Sequence, residues 1–259
     1  GSRYAYMFSV LLMLVSADLL AGIRIPRVWA IAAVAALAVS LVSNIAQMHT
    51  AGTFFESESE LNRAEAGALE LVRPYVAPDF VAESGRGYGV FPYRDMTQPA
   101  VSYFDAVDRL GSPAFDPGEI AAASPDAQAA ADKLLVSALN PSVQEAPKRP
   151  TGGPDAIPVL QPLALNGEAS EADGCVLVSP VQPGATFALF QVAPGTGLAF
   201  YAKKPMSDVA VGRFTEGPDI SLGPAGKSGL ISFPEDAYDG PWKVGLTYTG
   251  KVTACPVSG

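Results

Sequence analysis

YAYMFSVLLMLVSADLLAGI (Tyr4–Ile23) and VWAIAAVAALAVSLVSNIAQM (Val28–Met48) stand back to back, separated only by Arg24-Ile25-Pro26-Arg27. Each run holds about 20 residues, and a helix of that length, at about 1.5 Å per residue, matches the roughly 30 Å hydrocarbon core of a bilayer. The pair is expected to form a transmembrane hairpin carrying a water-soluble remainder. A secretory signal is the competing reading of the first run, because Val15-Ser16-Ala17 resembles a small-residue cleavage site. The apolar run continues through Leu19-Leu20-Ala21 and a second span follows at once, which favours the hairpin.

Arg24 and Arg27 lie in the short loop between the runs, and basic residues in such loops mark the cytoplasmic side. Everything after Met48 is then extracytoplasmic, and the protein is expected in the plasma membrane as a multi-pass chain whose partner is the lipid bilayer. Asp18 interrupts the first run, where an ionised carboxylate costs several kcal/mol unless it faces protein or water. Further helices upstream would supply that interior. The opening Gly1-Ser2 fits a cloning scar or a piece of a longer polytopic protein, and Asp18 favours the second.

The chain carries 17 basic and 26 acidic residues, of which 14 and 25 follow the second run. So acidic an exported part argues against nucleic acid as a partner, and against charge-driven binding to anionic headgroups. Cys175 and Cys255 both fall in that part. In an oxidising compartment they are expected to pair, closing a loop of about 80 residues and stabilising by roughly 4 kcal/mol on the chain-entropy account. Two free buried thiols are the alternative. With two cysteines and the single histidine His49, no metal site and no cofactor are expected.

Beyond the spans, Leu61, Ala64, Ala68, Leu69, Leu71 and Val72 recur at helical spacing until Pro74, which predicts an amphipathic helix over Glu58–Arg73, continuous with the second span. Thr53-Phe54-Phe55 marks the membrane interface, and Glu56, Glu58 and Glu60 read as a solvated helix start. Ser84-Gly85-Arg86-Gly87-Tyr88-Gly89 lacks the following helix that a phosphate-cradling loop needs and reads as turns. Three short helices follow: Val101–Leu110 stopped by Gly111, one opened by Asp116-Pro117 and running through Ala123, and Asp126–Leu139 opened by Ser124-Pro125.

Residues 141–158 hold five prolines and read as a semi-rigid linker. Eight short runs then alternate with turns: Val159–Leu165, Cys175–Ser179, Thr186–Val192, Leu198–Ala202, Val209–Phe214, Gly229–Phe233, Trp242–Tyr248 and Lys251–Cys255. The expected fold class is α+β: transmembrane hairpin (1–50), helical connector (51–140), linker (141–158) and an antiparallel β-sandwich of jelly-roll type (159–259) closed by the disulfide.

A Ser-His-Asp or Cys-His scheme has no histidine to use outside the membrane boundary, so no catalytic residue is placed in this chain. The acidic groups Glu168/Glu171/Asp173 and Glu235/Asp236/Asp239 sit in turn-rich sequence and read as solvated carboxylates rather than a glycosidase pair. Candidate aromatics for stacking on sugar rings are Tyr201, Tyr238 and Trp242. Trp242 shares an alternating face with Val244, Leu246 and Tyr248, which favours a core position.

Ser2-Arg3-Tyr4 followed by an apolar span resembles the late membrane helices of GT-C-type glycosyltransferases, polytopic enzymes that use polyprenyl-phosphate sugars. The Ala-, Pro- and Gly-rich, Lys-poor usage resembles proteins of GC-rich actinobacteria. The resemblance implies that Arg3 and Tyr4 face a lipid phosphate, that the catalytic acids lie upstream, and that the sandwich is an accessory module meeting envelope glycan or positioning an acceptor. Arg3 as an interface anchor remains the plainer reading. The rival to the enzyme is a non-catalytic, membrane-anchored binding or scaffold protein of the cell envelope.

Overall fold

The structure is a computed structural model that describes residues 15, 26–81, 99–146, 162–164, 167–172, 174–181 and 184–258. The first apolar run apart from Val15, the glycine-rich stretch 84–89 and the linker prolines from Pro147 onward lie outside the described residues. The chain divides into two compact units, Gly1–Glu56 and Ser57–Gly259.

Helix α1 spans Arg27–Leu71 without a break, so the second apolar run and the amphipathic segment form one element. Among the described residues it is the one helix long and apolar enough to cross a membrane. Its first half packs on none of the other described residues: Val28 is 75% and Met48 73% exposed, and the side chains between them are exposed all round. Its length and apolar composition are those of a helix able to cross a bilayer.

Within the second unit the same helix becomes one-sided, burying Ala64, Gly67, Ala68 and Leu69. Gly67 is required there, because a β-carbon would stand 2.2 Å from the carbonyl oxygen of Phe115. The crossing chain is held by Phe115 N–H donating to the Arg63 carbonyl at 3.1 Å. Arg63 Nε in turn donates to the Pro113 carbonyl at 2.9 Å, with its guanidinium over the Phe115 ring.

The short helices follow their start and stop signals. Helix α2 (Ala100–Leu110) ends at Gly111, whose φ of +87° suits glycine. Helix α3 (Pro117–Ala122) opens with a reciprocal capping box between Asp116 and Glu119. Helix α4 (Pro125–Leu139) is capped by the Ser124 hydroxyl and stops at left-handed Asn140.

Ten strands among the described residues build two antiparallel sheets. One sheet has the order β2 (Gly167–Ala172), β3 (Cys175–Pro180), β10 (Val252–Ser258), β5 (Thr196–Ala202), β8 (Ser228–Ser232). The other has the order β1 (Pro162–Ala164), β4 (Ala185–Val192), β9 (Trp242–Thr249), β6 (Met206–Gly212), β7 (Ile220–Ala225). From β3 to β10 successive strands alternate between sheets except at the β6–β7 hairpin, which stays within one, giving the orders 3-10-5-8 and 4-9-6-7 of a jelly roll.

Strands β2 and β7 were not expected. Both are edges, and an edge strand need not alternate. β2 is exposed from Glu168 to Glu171, and β7 carries Gly223 and Pro224. Glu168 and Glu171 are therefore strand residues, not turn residues as their flanking sequence suggested.

The helices and the sandwich share one core. Ala64, Ala68, Val72, Ile120, Ala131 and Leu135 belong to the same buried cluster as Val178, Phe190, Phe200, Trp242 and Leu246. The boundaries read from sequence at 140 and 159 fall inside this single unit.

Candidate functional site

The two sheets present very different outer faces. Leu198, Phe200 and Ala202 of β5 point into the core, so Tyr201 between them points out. The register places a row across this outer face: Ser170, Leu177, Thr253, Tyr201 and Ser228 are successive partners on five adjacent strands. With strands about 4.8 Å apart, the row is a strip about 20 Å long. Ser170 and Ser228 are exposed, while Leu177, Thr253 and Tyr201 are half-buried.

The next row is small and closed. It contains Cys175, Cys255, Ala199 and Leu230, and the two cysteines form a disulfide between neighbouring strands. Leu230 leans over Gly197, where an added β-carbon would meet its Cδ1 at 3.1 Å. A half-buried tyrosine in a row with hydroxyl side chains thus stands beside a row whose cysteines and alanine are buried. A pyranose, with its apolar C–H face and hydroxyl rim, matches such a surface.

The outer face of the other sheet is covered at its centre. A β-carbon on Gly245 would lie 2.7 Å from both Phe187 Cε2 and Pro218 Cγ, so both side chains rest on the bare backbone there. Its register partners Leu189 and Ala210 are each 8% exposed. Pro218 reaches this position because the loop after β6 folds back over the sheet.

That loop is fixed by buried charge. Asp132 on α4 is 1% exposed. Its carboxylate accepts from the backbone N–H groups of Arg213, Phe214 and Thr215 at 2.9–3.1 Å and from the Thr215 hydroxyl at 2.7 Å. Arg213 pairs with Asp236, both side chains fully buried, and donates to the Tyr238 and Gly240 carbonyls at 2.7 and 3.2 Å. The rings of Tyr238 and Trp242 lie against its guanidinium at 5.1 and 5.0 Å. Lys243 Nζ donates to the Thr215 carbonyl. Buried charges of this kind are tolerated only when paired and hydrogen-bonded, and here they hold the loops after β6 and β8 in place.

The sequence-predicted residues separate accordingly. Tyr201 is on the accessible face. Tyr238 is half-buried in the β8–β9 loop, its ring stacked on Phe214 at 5.6 Å. Trp242 must be withdrawn as a stacking residue: it is 0% exposed and lies flat against Phe233 at 4.4 Å inside the core. Asp236, read from sequence as solvated, is the buried partner of Arg213. Cys175 and Cys255 form the expected disulfide, and Arg3 and Tyr4 lie outside the described residues. The Asp132 and Arg213 anchors carried no local signal, since their partners lie 81 and 23 residues away.

Two tyrosines have displaced acidities. Burial pushes the Tyr248 phenol up to about 12, and its oxygen has no hydrogen-bond partner among the described residues. Burial and then the Glu70 carboxylate, 2.5 Å away, hold the Tyr103 phenol above the usual tyrosine range. Ser112 donates to the same Glu70 oxygen at 2.6 Å, so the pair ties α2 to α1 rather than forming a reactive site. Among the described residues no cluster of His, Cys, Asp or Glu has the geometry to hold a metal.

No protein-family model and no curated protein matches the chain. Similar solved structures include a variant of a family 29 carbohydrate-binding module, at 9% identity and a TM-score of 0.28, covering 45% of this chain and 91% of that one. Another family 29 module is 10% identical with a TM-score of 0.24, covering 45% and 86%. The nucleoside dehydratase Pac13 is 15% identical with a TM-score of 0.18, covering 36% and 77%. Similarity this slight assigns no ligand to this chain.

Proposed function

We propose that this chain is a membrane-anchored module of the cell envelope whose sandwich binds saccharide on the outer face of the β2-β3-β10-β5-β8 sheet. The observation that carries the reading is the Tyr201 row, in which Ser170 and Ser228 are exposed and Leu177, Thr253 and Tyr201 half-buried, while Phe187 and Pro218 cover the centre of the opposite sheet. A tyrosine beside threonine and serine hydroxyls supplies both a stacking surface and hydrogen-bonding groups for a sugar.

In the fuller form of the proposal the run Tyr4–Ile23 is a second span, the sandwich is extracytoplasmic, and the chain completes a GT-C-like glycosyltransferase that uses polyprenyl-phosphate sugars. The sandwich then positions glycan or acceptor for catalytic residues elsewhere in the protein. The exposed apolar half of α1 and the disulfide support membrane anchoring and an oxidising compartment.

A glycan array probed with the whole chain in non-ionic detergent tests the binding claim. Binding that disappears in Tyr201→Ala and persists in Tyr238→Ala is expected. Uniformly flat signals, or loss in Tyr238→Ala alone, would contradict it.

A further inference from the structure

The turns of the sandwich sort its charges. Lys203 and Lys204 lie in the β5–β6 turn, Lys227 in the β7–β8 turn and Lys251 in the β9–β10 turn, and all four are exposed. The register brings them together, since Val252 pairs with Ala202 and the Ala202 N–H donates to the Lys227 carbonyl at 2.7 Å. The loops at the opposite end, after β6 and β8, hold the exposed carboxylates Glu216, Asp219, Glu235 and Asp239. A strongly acidic chain has thus gathered four of its few lysines at one end of one domain.

Among the described residues none of these lysines is in an ion pair. The carboxylates nearest in register are Glu168, whose partner Ser179 neighbours Lys251, and Asp208, which accepts from the Ser221 hydroxyl. Neither offsets four positive charges.

The cluster adjoins the Tyr201 row. Lys203 directly follows the end of β5, two residues beyond Tyr201, and Lys251 directly precedes β10, two residues before Thr253. Two residues of extended chain place both turn positions about 7 Å from the Tyr201–Thr253 pair. A sugar ring stacked on Tyr201 would hold its substituents, or the next ring, within reach of both ammonium groups.

We propose that this end of the sandwich recognises an acidic saccharide, one bearing carboxylate or phosphate groups. The inference rests on the saccharide-binding reading above and adds the charge of the ligand. An anionic lipid surface is the other chemistry four lysines could meet. The neighbouring row argues for sugar, because it presents Ser170, Thr253 and Ser228 hydroxyls around one tyrosine rather than large exposed apolar side chains.

The test uses the whole chain in non-ionic detergent, titrated with hexagalacturonate, with its fully methyl-esterified form, and with a neutral hexasaccharide carrying one terminal phosphate. An anionic probe, carboxylate or phosphate, should bind about tenfold or more tighter than the ester. That advantage should fade between about 50 and 500 mM salt. The double variant Lys203→Gln/Lys251→Gln should lose the advantage and keep the ester's affinity.

Equal binding of the acid and ester forms, both lost in Tyr201→Ala, would overturn the charge inference and leave the saccharide reading standing. Binding of no saccharide would overturn both. Adsorption to phosphatidylglycerol vesicles that vanishes in the double variant, with no saccharide selectivity, would assign the lysines to lipid and overturn the inference.

Discussion

The two ends of the sandwich are ordered by opposite means. At the end nearest the helices, Asp132, Arg213 and Asp236 are buried and hydrogen-bonded, with Arg213 Nε left without a partner among the described residues, and Tyr75 Oη adds a bond to the Glu235 carbonyl at 2.8 Å. At the other end the turns are short and their charges face water. Buried charge makes the first end costly to alter and chemically quiet. The second can lose its charges with little effect on folding, which is how a surface used for recognition differs from one used for support.

The largest expected effect breaks the first end. Asp132→Ala leaves three buried backbone N–H groups without their shared acceptor, and should lower stability by about 3–5 kcal/mol. Thermal unfolding of the detergent-solubilised chain measures it. A loss under about 1 kcal/mol would mean that the loop after β6 is held some other way.

A middle-sized effect concerns Tyr248. Its folded acidity is weakened relative to the free phenol, so the unfolded chain releases this proton first as pH rises. The contribution is complete below about pH 10 and is lost as pH approaches 12, a decline of about 2 kcal/mol. Unfolding midpoints across that window should fall in the native chain and fall less in Tyr248→Phe, which should be near neutral at pH 7 because the hydroxyl has no partner among the described residues.

The smallest effect sharpens the comparison. Lys203→Gln/Lys251→Gln should change stability by about 0.5 kcal/mol or less, since both side chains are exposed, whereas Tyr201→Ala, which truncates a half-buried ring, should cost about 1–2 kcal/mol. Unfolding curves run beside the binding titrations separate the two kinds of loss.

What could be read in advance depended on whether the cause was local. Capping pairs such as Asp116–Glu119 and Ser124-Pro125 act within one turn, and the helices they predict are present. Alternation marked the central strands because each has one face in the core, whereas the edges β2 and β7 have no such pattern to show. Trp242 could be suspected of core burial from its neighbours Val244 and Leu246, and burial excludes it from the site.

The remaining features depend on pairing between distant segments. The lysines at 203, 204, 227 and 251 are scattered in sequence and meet only because three turns share one end of a jelly roll. A net charge summed over everything after Met48 concealed them. The helical connector likewise reads as separate until Ala64, Ile120 and Leu135 are found in the same core as Phe190.

The central claim is that saccharide meets this protein on one particular sheet face. Isotope-edited NMR of the whole chain in micelles, titrated with a saccharide selected on the array, tests it most directly. Shifts concentrated at Leu177, Tyr201, Ser228 and Thr253 are predicted. Shifts centred on Phe187, Gly245 and Pro218, or no shifts at saturating ligand, would contradict the account.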